Sequence, residues 1–139
     1  MTNWDFYVKE SYDIVRRAES ELTINLAHEV EAYLVHMWAH FLDKPNVNTE
    51  PICIKLLEST HKPTAQRKAI LKEVGDECLL INSMEWGKSR WPSNNYYSDM
   101  GQMAYITRAY LVRPPEDIFD DLAVEFQTAT KILRKCRIN

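Results

Sequence analysis

Glycine occurs only three times in 139 residues. Two of the three fall inside stretches whose apolar residues recur at helical spacing. They are Gly75, in Glu73-Val74-Gly75-Asp76-Glu77-Cys78-Leu79-Leu80, and Gly101, in Tyr96-Tyr97-Ser98-Asp99-Met100-Gly101-Gln102-Met103-Ala104-Tyr105. A glycine in a helix interior costs about 1 kcal/mol relative to alanine, so a chain this sparing with it needs a reason to place two there. The physical reason is close approach by a neighbouring helix, or room for a side chain that a Cβ would strike. Two tightly packed central helices are therefore expected, each with an acid near its glycine: Asp76 and Asp99.

The rest of the chain supports an all-α fold. No window alternates apolar and polar residues at period two, and proline gathers in the connections. The expected architecture is a single domain over residues 1–139, a bundle of five to six helices with the fourth and fifth at its centre. Trp4, Val8, Tyr12 and Val15 stripe a first helix over about 4–18. Leu26, Val30, Tyr33, Leu34, Met37 and Phe41 stripe a second over about 23–42; the pattern leaves open whether it breaks from the first around 19–22 or runs on from it. Pro51 suits the first turn of a short third helix, 52–59, where its missing N–H would be an orphan anyway. Pro63 opens the fourth, reaching about Met84. The fifth spans about 95–112 and is apolar over most of its circumference, which predicts burial on nearly every side. Pro114-Pro115 ends it. The last helix, 116–137, carries Ile118, Leu122, Phe126, Ala129, Leu133 and Cys136 on one stripe, with acids in its first turns and bases in its last, complementing the helix dipole.

Composition narrows the function classes. A formal net charge of −3 gives no support to nucleic-acid binding, which needs a basic surface to neutralise phosphates. No apolar run approaches the roughly 18 residues of a membrane span. Met1-Thr2-Asn3-Trp4-Asp5 lacks the pattern of a signal peptide. Cys53, Cys78 and Cys136 are odd in number, widely spaced and set in apolar patterns, so they read as reduced core residues of a cytoplasmic protein.

The Val74-Gly75-Asp76 helix, the later Tyr96-Tyr97-x-x-Met100-Gly101-x-x-Ala104-Tyr105 helix, and the earlier Tyr33-Leu34-Val35-His36 together resemble a family of small all-helical bacterial proteins with no assigned activity. The resemblance covers about residues 32–105. It departs at 82–94, where the family's glycine and phenylalanine would stand near Ser83 to Trp86. It implies a helical fold and a bacterial origin, and carries over no catalytic residue.

Several constellations carry chemistry. Asp76 falls between the Leu79 and Leu80 faces, and Asp99 lies on the arc of Met103, Ile106 and Tyr110. Acids on apolar faces serve either as general acid/base groups with raised pKa values or as acceptors for tyrosine, tryptophan or helix-end donors. His36 and His40 stand one turn apart, and Glu58 and His61 have Glu-x-x-His spacing. A di-iron bundle needs two such elements plus two more glutamates, so no metal or other cofactor is expected. No nucleophile elbow or phosphate loop occurs, and the expectation leans away from an enzyme. The segment Met84–Pro92 holds Trp86, Arg90 and Trp91, residue types enriched at interface hot spots. The leading expectation is therefore a protein that works by binding a protein partner or a second copy of itself through Trp86, Arg90 and Trp91. The alternative is a small-molecule- or lipid-binding bundle anchored by Asp76, Tyr97 and Asp99. A metal-binding protein is third.

Overall fold

A computed structural model describes residues 3–45, 51–84 and 94–138. Among these it holds seven α-helices and no strand: α1 (Asn3–Leu22), α2 (His28–Asp43), α3 (Ile52–Ser59), α4 (Thr64–Ser83), α5 (Asn94–Tyr110), α6 (Asp117–Val124) and α7 (Phe126–Ile138). The all-helical expectation is met; the expected five to six helices are corrected to seven.

Two boundaries account for most of the difference. The first helix runs a turn longer than its apolar stripe suggests, and the second begins at His28 rather than near Thr23. The stop lies at Thr23, whose φ is 56°. Thr23 N–H donates to Ser20 O and Ile24 N–H to Glu19 O, at 3.2 and 2.9 Å. That pair of bonds is a Schellman cap, with threonine where glycine usually sits. Glu19, on the last turn of α1, is nearly buried and accepts the Leu26 N–H through Oε2 at 3.1 Å. The long final helix is likewise divided at Glu125, with φ −92° and ψ 13°. No glycine or proline stands there; α6 lies mainly on α5, whereas α7 lies on α1 and α4. The bend lets each half reach its own neighbours.

The most extensive pairing is α4 with α5, and both glycines lie within it. A Cβ on Gly75 would sit 2.4 Å from Tyr105 Cε1, and one on Gly101 2.5 Å from two Phe126 ring atoms and 2.9 Å from Cys78 Cβ. The glycines thus make room for two aromatic rings, and both are buried. Around them Val74, Cys78, Leu79, Ala104, Tyr105 and Ala109 meet Leu122, Phe126 and Leu133 in one core.

Two expectations about burial fail. The fifth helix is buried on one face only: Gly101, Ala104, Tyr105 and Ala109 are inside, whereas Asp99, Met103, Ile106 and Tyr110 are exposed. Its partners α4, α6 and α7 gather on its small-residue side, and nothing among the described residues covers the other. Cys53, expected in the core, is exposed on α3, while Cys78 and Cys136 are buried. Helix α3 is only two turns long and turns Ile52 inward toward the core, leaving Ile54 and Leu57 in solvent as well. It is held to α4 by Lys55, whose Nζ donates to both oxygens of Glu77 at 3.0 Å and to Glu73 at 3.3 Å. No helix among the described residues is long and apolar enough to cross a membrane.

Candidate functional site

Asp76 sits where α4 turns from the core toward solvent, between buried Leu79 and half-buried Leu80. Its Oδ1 accepts two tyrosine hydroxyls, Tyr33 from α2 at 2.6 Å and Tyr105 from α5 at 2.7 Å. Its Oδ2 accepts Lys72 Nζ at 2.8 Å, one helical turn earlier. One carboxylate thus ties three helices together. Burial, then the neighbouring Asp76 charge, push both tyrosine hydroxyls well above the usual phenol range. Both hydroxyls accordingly keep their protons and act as donors. Lys72 Nζ also lies 5.4 Å from the Tyr33 ring centroid, a cation–π position.

The rings extend this cluster inward. Tyr33 meets Tyr105 and Phe119 edge to face, at centroid distances of 6.4 and 5.9 Å. Tyr105 also touches Phe126 at 6.0 Å. Tyr33, Asp76 and Tyr105 come from three different helices, α2, α4 and α5. They are far apart in sequence and meet only in the fold.

Toward solvent, the same cluster forms one end of a groove of about 480 Å³ between α2 and α4. These two helices hardly touch each other among the described residues; α2 rests on α1, α6 and α7 instead. From α2 the groove is lined by Tyr33, His36, Met37, His40, Phe41 and then Lys44, just past its C-terminus. From α4 it is lined by Lys72, Asp76 and Leu80, spaced one turn apart on a single face. His36 Nδ1 lies 2.8 Å from Ala32 O. A carbonyl can only accept, so Nδ1 carries the proton and Nε2 of the neutral ring is left as an acceptor. Trp4 of α1 lies against His40 at 4.7 Å between ring centroids, its ring tilted by 52°, and bounds that imidazole on one side.

The residues singled out from sequence divide three ways. Asp76 belongs to the groove, as an acceptor engaged by three protein donors. Tyr97 is half-buried against Tyr96, at 5.3 Å between centroids, and does not line the groove. Asp99 is exposed on the outer face of α5, so the dry apolar setting expected for it is corrected. Trp86, Arg90 and Trp91 lie outside the described residues. Glu58 and His61 are both exposed, and no cluster of three metal-ligating side chains occurs among the described residues.

Sequence reasoning missed Lys72 and Lys44; Tyr33, Met37 and Phe41, expected on a core-facing stripe, do pack in or against the core and line the groove as well. The signal present was Lys72-x-x-x-Asp76-x-x-x-Leu80, one helical face carrying a cation, an acid and an apolar residue. The chain matches no protein-family model, no curated protein and no solved structure, so the groove's own geometry is what speaks to function.

Proposed function

We propose that this protein is a small-molecule-binding helical bundle whose ligand lies in the groove between α2 and α4. The observation that carries the reading is the groove itself: about 480 Å³, bordered by Met37, Phe41 and Leu80 and by a few polar groups on the same rim. That size and mixture suit a small organic ligand, since such sites pair apolar walls with a small number of polar anchors. Asp76 works here as a pin. With its oxygens engaged by Tyr33, Tyr105 and Lys72, it is poorly placed to act as a general base and well placed to hold the groove's end rigid. The reading is therefore one of binding and not of catalysis. The polar anchors pass from Tyr97 and Asp99 to His36, His40 and Lys72.

A fragment screen by amide and imidazole chemical shifts tests it. Hits should cluster on Tyr33, His36, His40 and Leu80, and Leu80→Trp, which fills the groove from its half-buried rim, should abolish them while the circular dichroism stays helical. Hits that ignore these residues, or survive Leu80→Trp unchanged, would remove the reading.

A second reading, protein–protein interaction, is favoured by one specific observation. Met103, Ile106 and Tyr110 are 44 %, 36 % and 58 % exposed along one face of α5, the helix that follows the Trp86–Trp91 segment in sequence. A partner or second copy of the chain would cover that stripe. Unchanged association of Ile106→Glu and of Trp86→Ala/Trp91→Ala in pull-down and sedimentation experiments would eliminate it.

A further inference from the structure

We infer that the groove selects an anion with an apolar body, a monocarboxylate-like amphiphile, over neutral or cationic molecules of the same shape; the inference rests on reading the groove as a binding site. Its lining carries two ammonium groups, Lys44 and Lys72, against the single carboxylate of Asp76. The lining is therefore net positive by one charge on a chain whose formal charge is −3. The carboxylate is also the group least able to recruit a cation. Both tyrosine hydroxyls occupy Oδ1 and Lys72 occupies Oδ2, so an incoming cation would have to displace a donor already in place. Lys44 stands at the end of α2 with its side chain in solvent, where a ligand anion would meet it without breaking an internal bond. The two imidazoles, His36 and His40, stand on the same rim and report a ligand seated there. Met37, Phe41 and Leu80 supply the surface for the apolar body. Charge at one rim and hydrocarbon at the wall is the pattern an amphiphilic anion matches.

Three probes sharing one apolar body separate charge from shape: indole-3-propionate, the corresponding alcohol and the corresponding amine. Each is titrated into the full chain and followed by chemical shifts, then repeated with decanoate, decanol and decylamine. The carboxylates should bind about fivefold or more tightly than their alcohols, with the amines weakest, and should move the His36 and His40 ring signals. Lys44→Gln, which alters a solvated side chain and leaves the Asp76 cluster intact, should erase much of that preference. If alcohol or amine binds the groove as well as the carboxylate does, the charge selection is wrong and the groove stands. If no probe of either series perturbs groove residues, the binding-site reading fails and takes the selection with it. If Lys44→Gln leaves the carboxylate preference whole, the assigned source of the charge is refuted.

Discussion

Replacing Gly75 by alanine should destabilise the protein, although alanine is the better helix former. In an unpacked helix the change would gain about 1 kcal/mol. Here the new methyl would lie 2.4, 2.6 and 2.8 Å from three atoms of the Tyr105 ring, where carbon pairs prefer about 3.5–4.0 Å. The ring has nowhere to retreat. It is fully buried, packed against Tyr33, Phe119 and Phe126, and tethered by its hydroxyl to Asp76 at 2.7 Å. Forcing a methyl into a filled core costs about 1–3 kcal/mol. Loosening a hydrogen bond to a carboxylate costs up to a further ~1.5–3 kcal/mol. Set against the propensity gain, the net loss is about 1.5–5 kcal/mol, or a fall in Tm of about 5–20 °C. Urea titration followed by circular dichroism measures it. The decisive control is the same substitution in a Tyr105→Leu background, where the clash and the tether are both absent; there Gly75→Ala should be neutral or stabilising by about 1 kcal/mol. A stabilising Gly75→Ala in the otherwise native chain would refute the close-approach account of Gly75.

Two further outcomes follow from local geometry. Thr23 holds a β-branched side chain at φ 56°, so Thr23→Gly should stabilise the chain by about 1 kcal/mol in the same urea assay; a loss of stability would mean the α1 cap is not formed as described. Glu19 is the pH-sensitive case. Burial first, then the neighbouring Glu31 carboxyl, push its pKa from 4.5 up to about 7. The folded chain therefore binds more protons than the unfolded one between those values, and stability falls as pH rises from 4.5 through 7 and stays lowered above. Glu19→Gln keeps a carbonyl for the Leu26 N–H and removes the buried charge, so it should raise stability at pH 8 by roughly 1 kcal/mol, discounted for water access. It should also flatten the slope, with Glu77, raised to about 7 by burial against the pull of Lys55, supplying what remains. Superimposable pH profiles for the two proteins would overturn the assignment.

Much of this was legible in local pattern because helices announce themselves locally. Pro51 and Pro63 do mark helix starts, though as the N-cap residues just before Ile52 and Thr64 and not inside the first turn, and the 52–59 helix has the bounds expected of it. Gly75 and Gly101 marked the central crossing because a glycine's cost is local while its benefit comes only from a neighbour. Other features were not legible. A threonine at positive φ gives no warning as glycine would, so the pattern around 19–22 left open whether α1 stops there or runs on into α2. The bend at Glu125 has no local cause at all; it comes from two halves of one amphipathic stretch docking on different helices. The burial of Asp99 was misjudged because a moderately apolar helix reads alike whether it has neighbours on one side or all around.

What these 139 residues determined by themselves is the helical class, the existence of a tight, glycine-mediated contact, and the presence of an acid beside it. Those depend on hydrogen bonds and side-chain spacing within a few residues. Only the tertiary structure decided that Tyr33, Asp76 and Tyr105 share one carboxylate, and that α2 and α4 stand apart far enough to leave a groove. Such features join residues 29 to 43 positions apart. They depend on how whole helices lean on one another, a property carried by the complete set of contacts and by no single segment.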